Sequence, residues 1–85
     1  MPYFYLARCA DNSLYAGSCK NVSARETKHN KGEGAKYTQQ RRPIKIIYFE
    51  KFKTSSEAMR REIQVKKWRR EKKENLVKYS HPFEK

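Results

Sequence analysis

The chain has 85 residues, and its 21 Lys and Arg against 9 Asp and Glu leave a net charge of +12. That length suits one small domain with one modest core, and the charge goes far beyond what solubility needs. No apolar run approaches the roughly 18 residues of a membrane span, which leaves a small basic domain whose field draws polyanions, nucleic acid first and an anionic membrane surface second.

Met1-Pro2-Tyr3 leads straight into a strand without the pattern of a signal peptide. The expected location is therefore the cytoplasm, or the nucleus if the host has one. The run Tyr3-Phe4-Tyr5-Leu6-Ala7-Arg8-Cys9, the turn formers Asp11-Asn12-Ser13 and the run Leu14-Tyr15-Ala16-Gly17-Ser18 predict a β-hairpin. Tyr5 and Tyr15 are ten positions apart, so an odd-length loop puts both phenols on one face, with Gly17 beside Tyr15. In the expected register Cys9 lies opposite Tyr15 and Cys19 opposite Tyr5. Gly17 is expected to leave open space where a ligand approaches the backbone, while Phe4, Leu6, Leu14 and Ala16 face a core. This register separates Cys9 and Cys19 by roughly 13 Å along the sheet, too far for a disulfide. Both read as free thiols in a reducing compartment, and two Cys with two His at these spacings do not fit a zinc site.

Asn21 is the expected N-cap of a helix over Val22 to His29, ended by Asn30, Gly32 and Gly34. Val22, Arg25 and His29 share one face of it. Val22 anchors that face, and Arg25 and His29 either look over the hairpin or belong to a solvated surface. Lys31 to Pro43 reads as a basic loop, in which Lys36, Arg41 and Arg42 can meet phosphates and Tyr37 can stack on a base. Ile44 to Phe49 follows as the central or best-covered strand of a small sheet.

Thr54-Ser55-Ser56-Glu57 matches a capping box and predicts a helix from Ser55 to about Arg70. On a wheel with Ala58 at zero, the apolar arc spans about 220° and Glu62 falls near its middle, at about 40°. A carboxylate there needs a cation or a metal. Lys66, four residues on, offers a salt bridge, and Arg69 lies on the same side, so metal ligand and structural ion pair both stay open. A short helix over Glu71 to Lys78 is expected to extend this basic surface, ahead of a frayed tail over 79–85 in which His81 is a bystander.

The order of these pieces resembles the GIY-YIG nuclease domain, and in particular its small stand-alone bacterial members. The resemblance covers residues 3 to 78 of what reads as a single domain over 1–85. Tyr3-Phe4-Tyr5 stands for the first motif and keeps only its last tyrosine; Tyr15-Ala16-Gly17 stands for the second. Arg25 follows Tyr15 by the family's ten residues, and His29 falls where the family carries His or Tyr. Gly34-Ala35-Lys36-Tyr37-Thr38, Arg41-Arg42-Pro43 and Glu57-Ala58-Met59-Arg60-Arg61-Glu62 look like the stand-alone subgroup, with Glu62 in the metal-binding place. Ser18 stands where some relatives have Lys, and Asn75 is a candidate for a polar Asn found late in many relatives.

The resemblance implies an α+β fold, a small three-stranded antiparallel sheet with flanking helices in the order ββαβαα. It implies a DNA phosphodiester hydrolase with one divalent ion, usually Mg2+, held by Glu62 and water. Arg25 would contact the phosphate, and Tyr15 would take the proton of the attacking water with Tyr5 beside it. A free phenol has a pKa near 10, so phenolate at pH 7 costs about 4 kcal/mol unless cations lower it. His29 competes as base on intrinsic chemistry. Lys66 and Arg69 join Lys36, Tyr37, Arg41 and Arg42 as the expected contacts to DNA, duplex or branched, or to RNA. The oligomeric state is open, a monomer fitting the sequence. The alternatives are a catalytically inactive nucleic-acid-binding module on the same fold and a basic protein–protein adaptor.

Overall fold

In the computed structural model, residues 1–79 are described; the expected tail, with His81, lies outside them except for Tyr79. Strands β1 (Tyr3–Arg8), β2 (Leu14–Cys19) and β3 (Lys45–Lys51) form one antiparallel sheet in the order β2-β1-β3. Helices α1 (Val22–Asn30) and α2 (Lys36–Gln39) separate β2 from β3; α3 (Ser55–Lys66) and α4 (Arg70–Tyr79) follow. The three-stranded α+β architecture is the expected one, with one extra helical turn, α2, inside the segment read as a loop.

The central strand is β1, not the third. Phe4, Tyr5, Leu6 and Ala7 are all fully buried, because β1 is covered on both faces and paired along both edges. The apolar run of β3 reflects covered faces, and apolarity does not report whether an edge is paired. Its ladder with β1 skips one residue between Leu6 and Ala7, a local bulge. Helix α1 is tied to this strand. Asn30 Nδ2 donates to Ile44 O (2.9 Å), Ile44 N donates to Asn30 Oδ1 (2.6 Å), and Ile46 N donates to Glu26 Oε1 (2.8 Å). These bonds give otherwise exposed strand groups partners and fix the helix that carries Arg25 and His29.

The hairpin register differs from expectation by two residues. Tyr5 lies opposite Gly17, Tyr15 opposite Ala7 and Cys19 opposite Tyr3. The turn is centred on Asp11 rather than on Asn12. Cys9 N donates to Ser13 O and Asn12 N to Cys9 O, both at 2.9 Å, while Asp11 Oδ1 accepts from Ser13 N and Asn12 takes a left-handed φ of 70°. An even shift preserves facing, so both tyrosines still share a side. Both cysteines are free and buried.

Each sheet face carries one apolar cluster. Phe4, Leu6, Ala16, Tyr48, Val65 and Leu76 form one, under α3 and α4. Tyr5, Ala7, Cys9, Cys19 and Ile44, joined by Tyr15 and by Val22 of α1, form the other. Helix α3 starts at the predicted capping box but stops at Lys66 rather than Arg70. Trp68 leaves the helix and packs on the first cluster, with the guanidinium of Arg61 over its ring. The core-facing arc is therefore narrower than the wheel implied: Met59 and Ile63 are exposed (53% and 56%), and Ala58 and Val65 face inward. Glu62 sits at the margin of that arc, its side chain 19% exposed.

Candidate active site

The phenols and Glu62 come from opposite faces of the sheet. Tyr5 and Tyr15 lie in the cluster on the α1 side, whereas Glu62 comes from α3 on the other. They approach around the edge strand β2, through Ser18. Ser18 Oγ donates to Glu62 Oε1 (2.8 Å), and the carbonyl of the same residue accepts from Arg25 Nη1 (3.1 Å). One residue of β2 thus joins the candidate acid to the candidate phosphate ligand. Lys66 closes the other oxygen, its Nζ 2.8 Å from Glu62 Oε2. That ammonium also lies 5.8 Å from the centre of the Tyr15 ring. Glu62 thus makes the ion pair that its spacing from Lys66 offered.

On the α1 side, three rings make a tight triangle. Centroid distances are 6.4 Å for Tyr5–Tyr15, 6.0 Å for Tyr5–His29 and 5.6 Å for Tyr15–His29. His29 is buried, not on a solvated helix face. Its Nε2 is 2.8 Å from Tyr5 Oη and its Nδ1 2.9 Å from Thr38 Oγ1. Burial, then the charges of Arg25 and Lys28, push its pKa below the ordinary histidine value. With both nitrogens engaged, His29 has no lone pair facing solvent with which to act directly on water. Tyr5 is fully buried. Desolvation holds its phenol well above the usual pKa, and the influence of Arg25 offsets only part of that. Tyr15, half-buried, is the phenol that reaches the surface.

Gly17 does not leave room for a ligand. A Cβ there would sit 2.5 Å from Tyr5 Oη, so the missing side chain accommodates the phenol across the ladder. Gly34 is bare for the same reason: a Cβ on it would overlap His29 Nδ1. The surface beside these rings is a depression of about 220 Å³ lined by Tyr15, Arg25, Lys28, His29, Glu33, Gly34 and Ala35. Arg25 also lines a second groove, of about 440 Å³, that runs past Ser18 to Ala58 and Met59 between α1 and α3. It is the one candidate site residue common to both hollows.

The expected nucleic-acid contacts divide into two kinds. Tyr37, on α2, stacks on Tyr15 at 5.9 Å and 25°, and Arg41 lies 3.8 Å above the Tyr37 ring. Arg41 Nε also pairs with Asp11 (3.0 Å), and Arg42 donates to the carbonyls of Gln39 and Asn30. Both arginines thus brace the segment that carries Tyr37. Lys36 and Arg69 are exposed. Asn75 is exposed on α4. Two residues here escape sequence reasoning as participants, Ser18 and Thr38. Ser18 lies three residues after Tyr15 on an alternating strand, so it faces the α3 side, but the hydroxyl's partner is set by the docking of α3.

Among the described residues no group of three or more His, Cys, Asp and Glu is placed to hold a metal. One carboxylate with water and substrate oxygens suits a hard ion such as Mg2+. Glu62 fits that donor set once Lys66, itself 48% exposed, swings aside.

The chain folds as a three-stranded antiparallel sheet with flanking helices, and the model of the GIY-YIG catalytic domain matches residues 1–75. The chain belongs to the GIY-YIG family, a family of nucleases that bind nucleic acid. It is similar to small bacterial proteins named UPF0213. One from Staphylococcus aureus (strain Mu3) is 49% identical over 76 residues, covering 89% of this chain and 93% of the relative. Two solution NMR structures share the fold. A UPF0213 protein from Bacillus halodurans superposes with a TM-score of 0.60 at 42% identity, covering 99% of this chain and 92% of that one. A protein from E. faecalis gives 0.58 at 44% identity, covering 89% and 81%.

Proposed function

We propose that this chain is a divalent-metal-dependent endonuclease that hydrolyses DNA phosphodiester bonds with little sequence choice, in DNA repair or processing. The observation that supports it most is the link through Ser18, which holds Arg25 and Glu62 to one residue of β2. Arg25 would donate to the phosphate oxygens, where charge accumulates in the transition state. Glu62, released from Lys66, would hold one Mg2+, which would supply Lewis-acid polarisation of the phosphate and stabilise the leaving oxygen. Tyr15, the phenol that reaches the surface and has the Lys66 ammonium 5.8 Å from its ring centre, would take the proton from the attacking water. Tyr5 and His29 would hold Tyr15 in place from behind rather than exchange protons with water. Tyr37 and the cations Lys36, Arg41, Arg42, Lys66 and Arg69 would hold the DNA, duplex or branched, or an RNA strand, mostly through phosphates. Two buried free thiols suit a reducing compartment such as the cytoplasm.

The closed pair of Glu62 with Lys66 and Ser18 favours one second reading, a nucleic-acid-binding module without catalysis. A nuclease assay over duplex, single-stranded and branched DNA separates the two. Cleavage that vanishes with EDTA, with Arg25→Ala and with Glu62→Ala supports the enzyme. Binding with no cleavage under any divalent ion, unaffected by Glu62→Ala, supports the module.

A further inference from the structure

The buried contacts behind Tyr15 fix where three protons lie. Thr38 Oγ1 is 2.8 Å from Ala35 O and 2.9 Å from His29 Nδ1. A carbonyl has no proton to give, and two oxygens at 2.8 Å need one between them. The hydroxyl proton of Thr38 therefore points to Ala35 O. Thr38 Oγ1 then offers His29 only a lone pair, so Nδ1 must carry hydrogen. A neutral imidazole has one N–H, and burial among cations keeps His29 neutral. Its Nε2 is therefore bare and accepts from the Tyr5 O–H at 2.8 Å. The reverse order, with Thr38 donating to His29, would leave Thr38 Oγ1 and Ala35 O in contact with no proton between them.

We propose that Thr38 is a positioning residue that sets the tautomer of His29 and so the direction of the Tyr5 hydroxyl. With its proton given to His29, Tyr5 Oη turns lone pairs to its other neighbours. Arg25, whose charge acts on the Tyr5 phenol, holds its own guanidinium to Ser18 O at 3.1 Å. In the opposite tautomer Tyr5 Oη would accept from His29 Nε2 and turn its O–H, instead of lone pairs, toward its other neighbours. The chain Ala35–Thr38–His29–Tyr5 thereby fixes the phenol packed behind Tyr15, from a residue outside the surface hollow. Its consequence for catalysis rests on the nuclease reading; the tautomer itself does not.

Long-range proton–nitrogen correlation on the 15N-labelled full chain reads the tautomer directly, with His29→Gln identifying the signals. The expected pattern is Nδ1–H in the wild type, retained in Thr38→Ser and shifted toward Nε2–H in Thr38→Val, which keeps the shape but not the acceptor. An Nε2–H wild type, or a Thr38→Val pattern identical to wild type, overturns the proposal. Should Thr38→Val fail to fold, the wild-type and Thr38→Ser spectra still decide it. In the cleavage assay Thr38→Val should lower kcat roughly tenfold or more with KM little changed, well short of the roughly 10⁴-fold loss when the mis-set tautomer belongs to the general base itself, and Thr38→Ser should restore it. An unchanged kcat despite a shifted tautomer overturns the link from Tyr5 to catalysis. If no form cuts DNA while the tautomer follows the expected pattern, the nuclease reading falls and the proton order stands.

Discussion

Two glycines show how single residues make this site. At Gly17 a methyl group would meet Tyr5 Oη at 2.5 Å, and at Gly34 it would overlap His29 Nδ1. Both neighbours are buried rings that cannot swing into water, so the added carbon has to displace the Tyr5–His29 pair. Gly17→Ala and Gly34→Ala should each lose about 1–3 kcal/mol, the range for overpacking. Urea denaturation measures that, and DNA retention at low salt should be nearly unchanged because the exposed cations are untouched. A variant as stable as wild type would show that the rings have room to move. The glycines themselves are visible in the sequence; their purpose is not. The spacing of Tyr5 and Tyr15 places both phenols on one face correctly. The register expected from composition is off by two residues and assigns the space over Gly17 to a ligand, because the Asp11–Ser13 turn closes around a centre that composition does not reveal.

At the level of elements, local signals are legible in the sequence and tertiary ones are not. Asn21 and Thr54 cap α1 and α3 as their sequences demand. The end of α3 has no glycine or proline to mark it, and Trp68 ends it by leaving to pack on the core. The expected meeting of Glu62 with the phenols rests on motif order, which cannot tell one face of a sheet from the other. The structure supplies Ser18 and Lys66 as the bridge around β2. Lys66 is nearly half exposed, so its pair with Glu62 is worth little to stability, about 0–1 kcal/mol. It does compete with any ion for the same oxygen. Lys66→Met should therefore melt within about 1 kcal/mol of wild type and bind Mn2+ more tightly, with Glu62→Gln abolishing the gain. Water-proton relaxation during a Mn2+ titration reads both, and weaker binding in Lys66→Met would mean that the lysine helps to build the site.

For the whole molecule, pH and salt probe different halves of the design. His29 is held below its ordinary pKa of 6.5, so below about pH 6.5 the unfolded chain binds more protons and stability falls as pH drops. Tyr5, Cys9 and Cys19 are raised by burial. Above about pH 9, where free thiols and then phenols ionise, the folded state keeps protons that the unfolded state releases, and stability falls again. Denaturation midpoints should hold a plateau between these limits, and His29→Gln should flatten the acid limb between about pH 6.5 and 5. Salt reports on the outside. A net charge of +12 gives a strong nonspecific pull on DNA, yet the cations are not equivalent. Arg41 is partly committed to Asp11 and Tyr37, and Arg42 to the carbonyls of Gln39 and Asn30. Lys36, on α2 beside Tyr37, and Arg69, in the link between α3 and α4, are both exposed. Each phosphate that is no longer neutralised should reduce the slope of log affinity against log salt by about 0.9. Replacing Lys36 and Arg69 together by Ala should therefore lower it by nearly two without changing the melting temperature. Arg41→Ala should do the converse, loosening Tyr37 and lowering the melting temperature more than the slope. Fluorescence anisotropy across a salt series gives the slopes. If Arg41→Ala lowered the slope more than the Lys36 and Arg69 pair did, phosphate would have to bind across the braced face of α2, with Tyr37 as its floor.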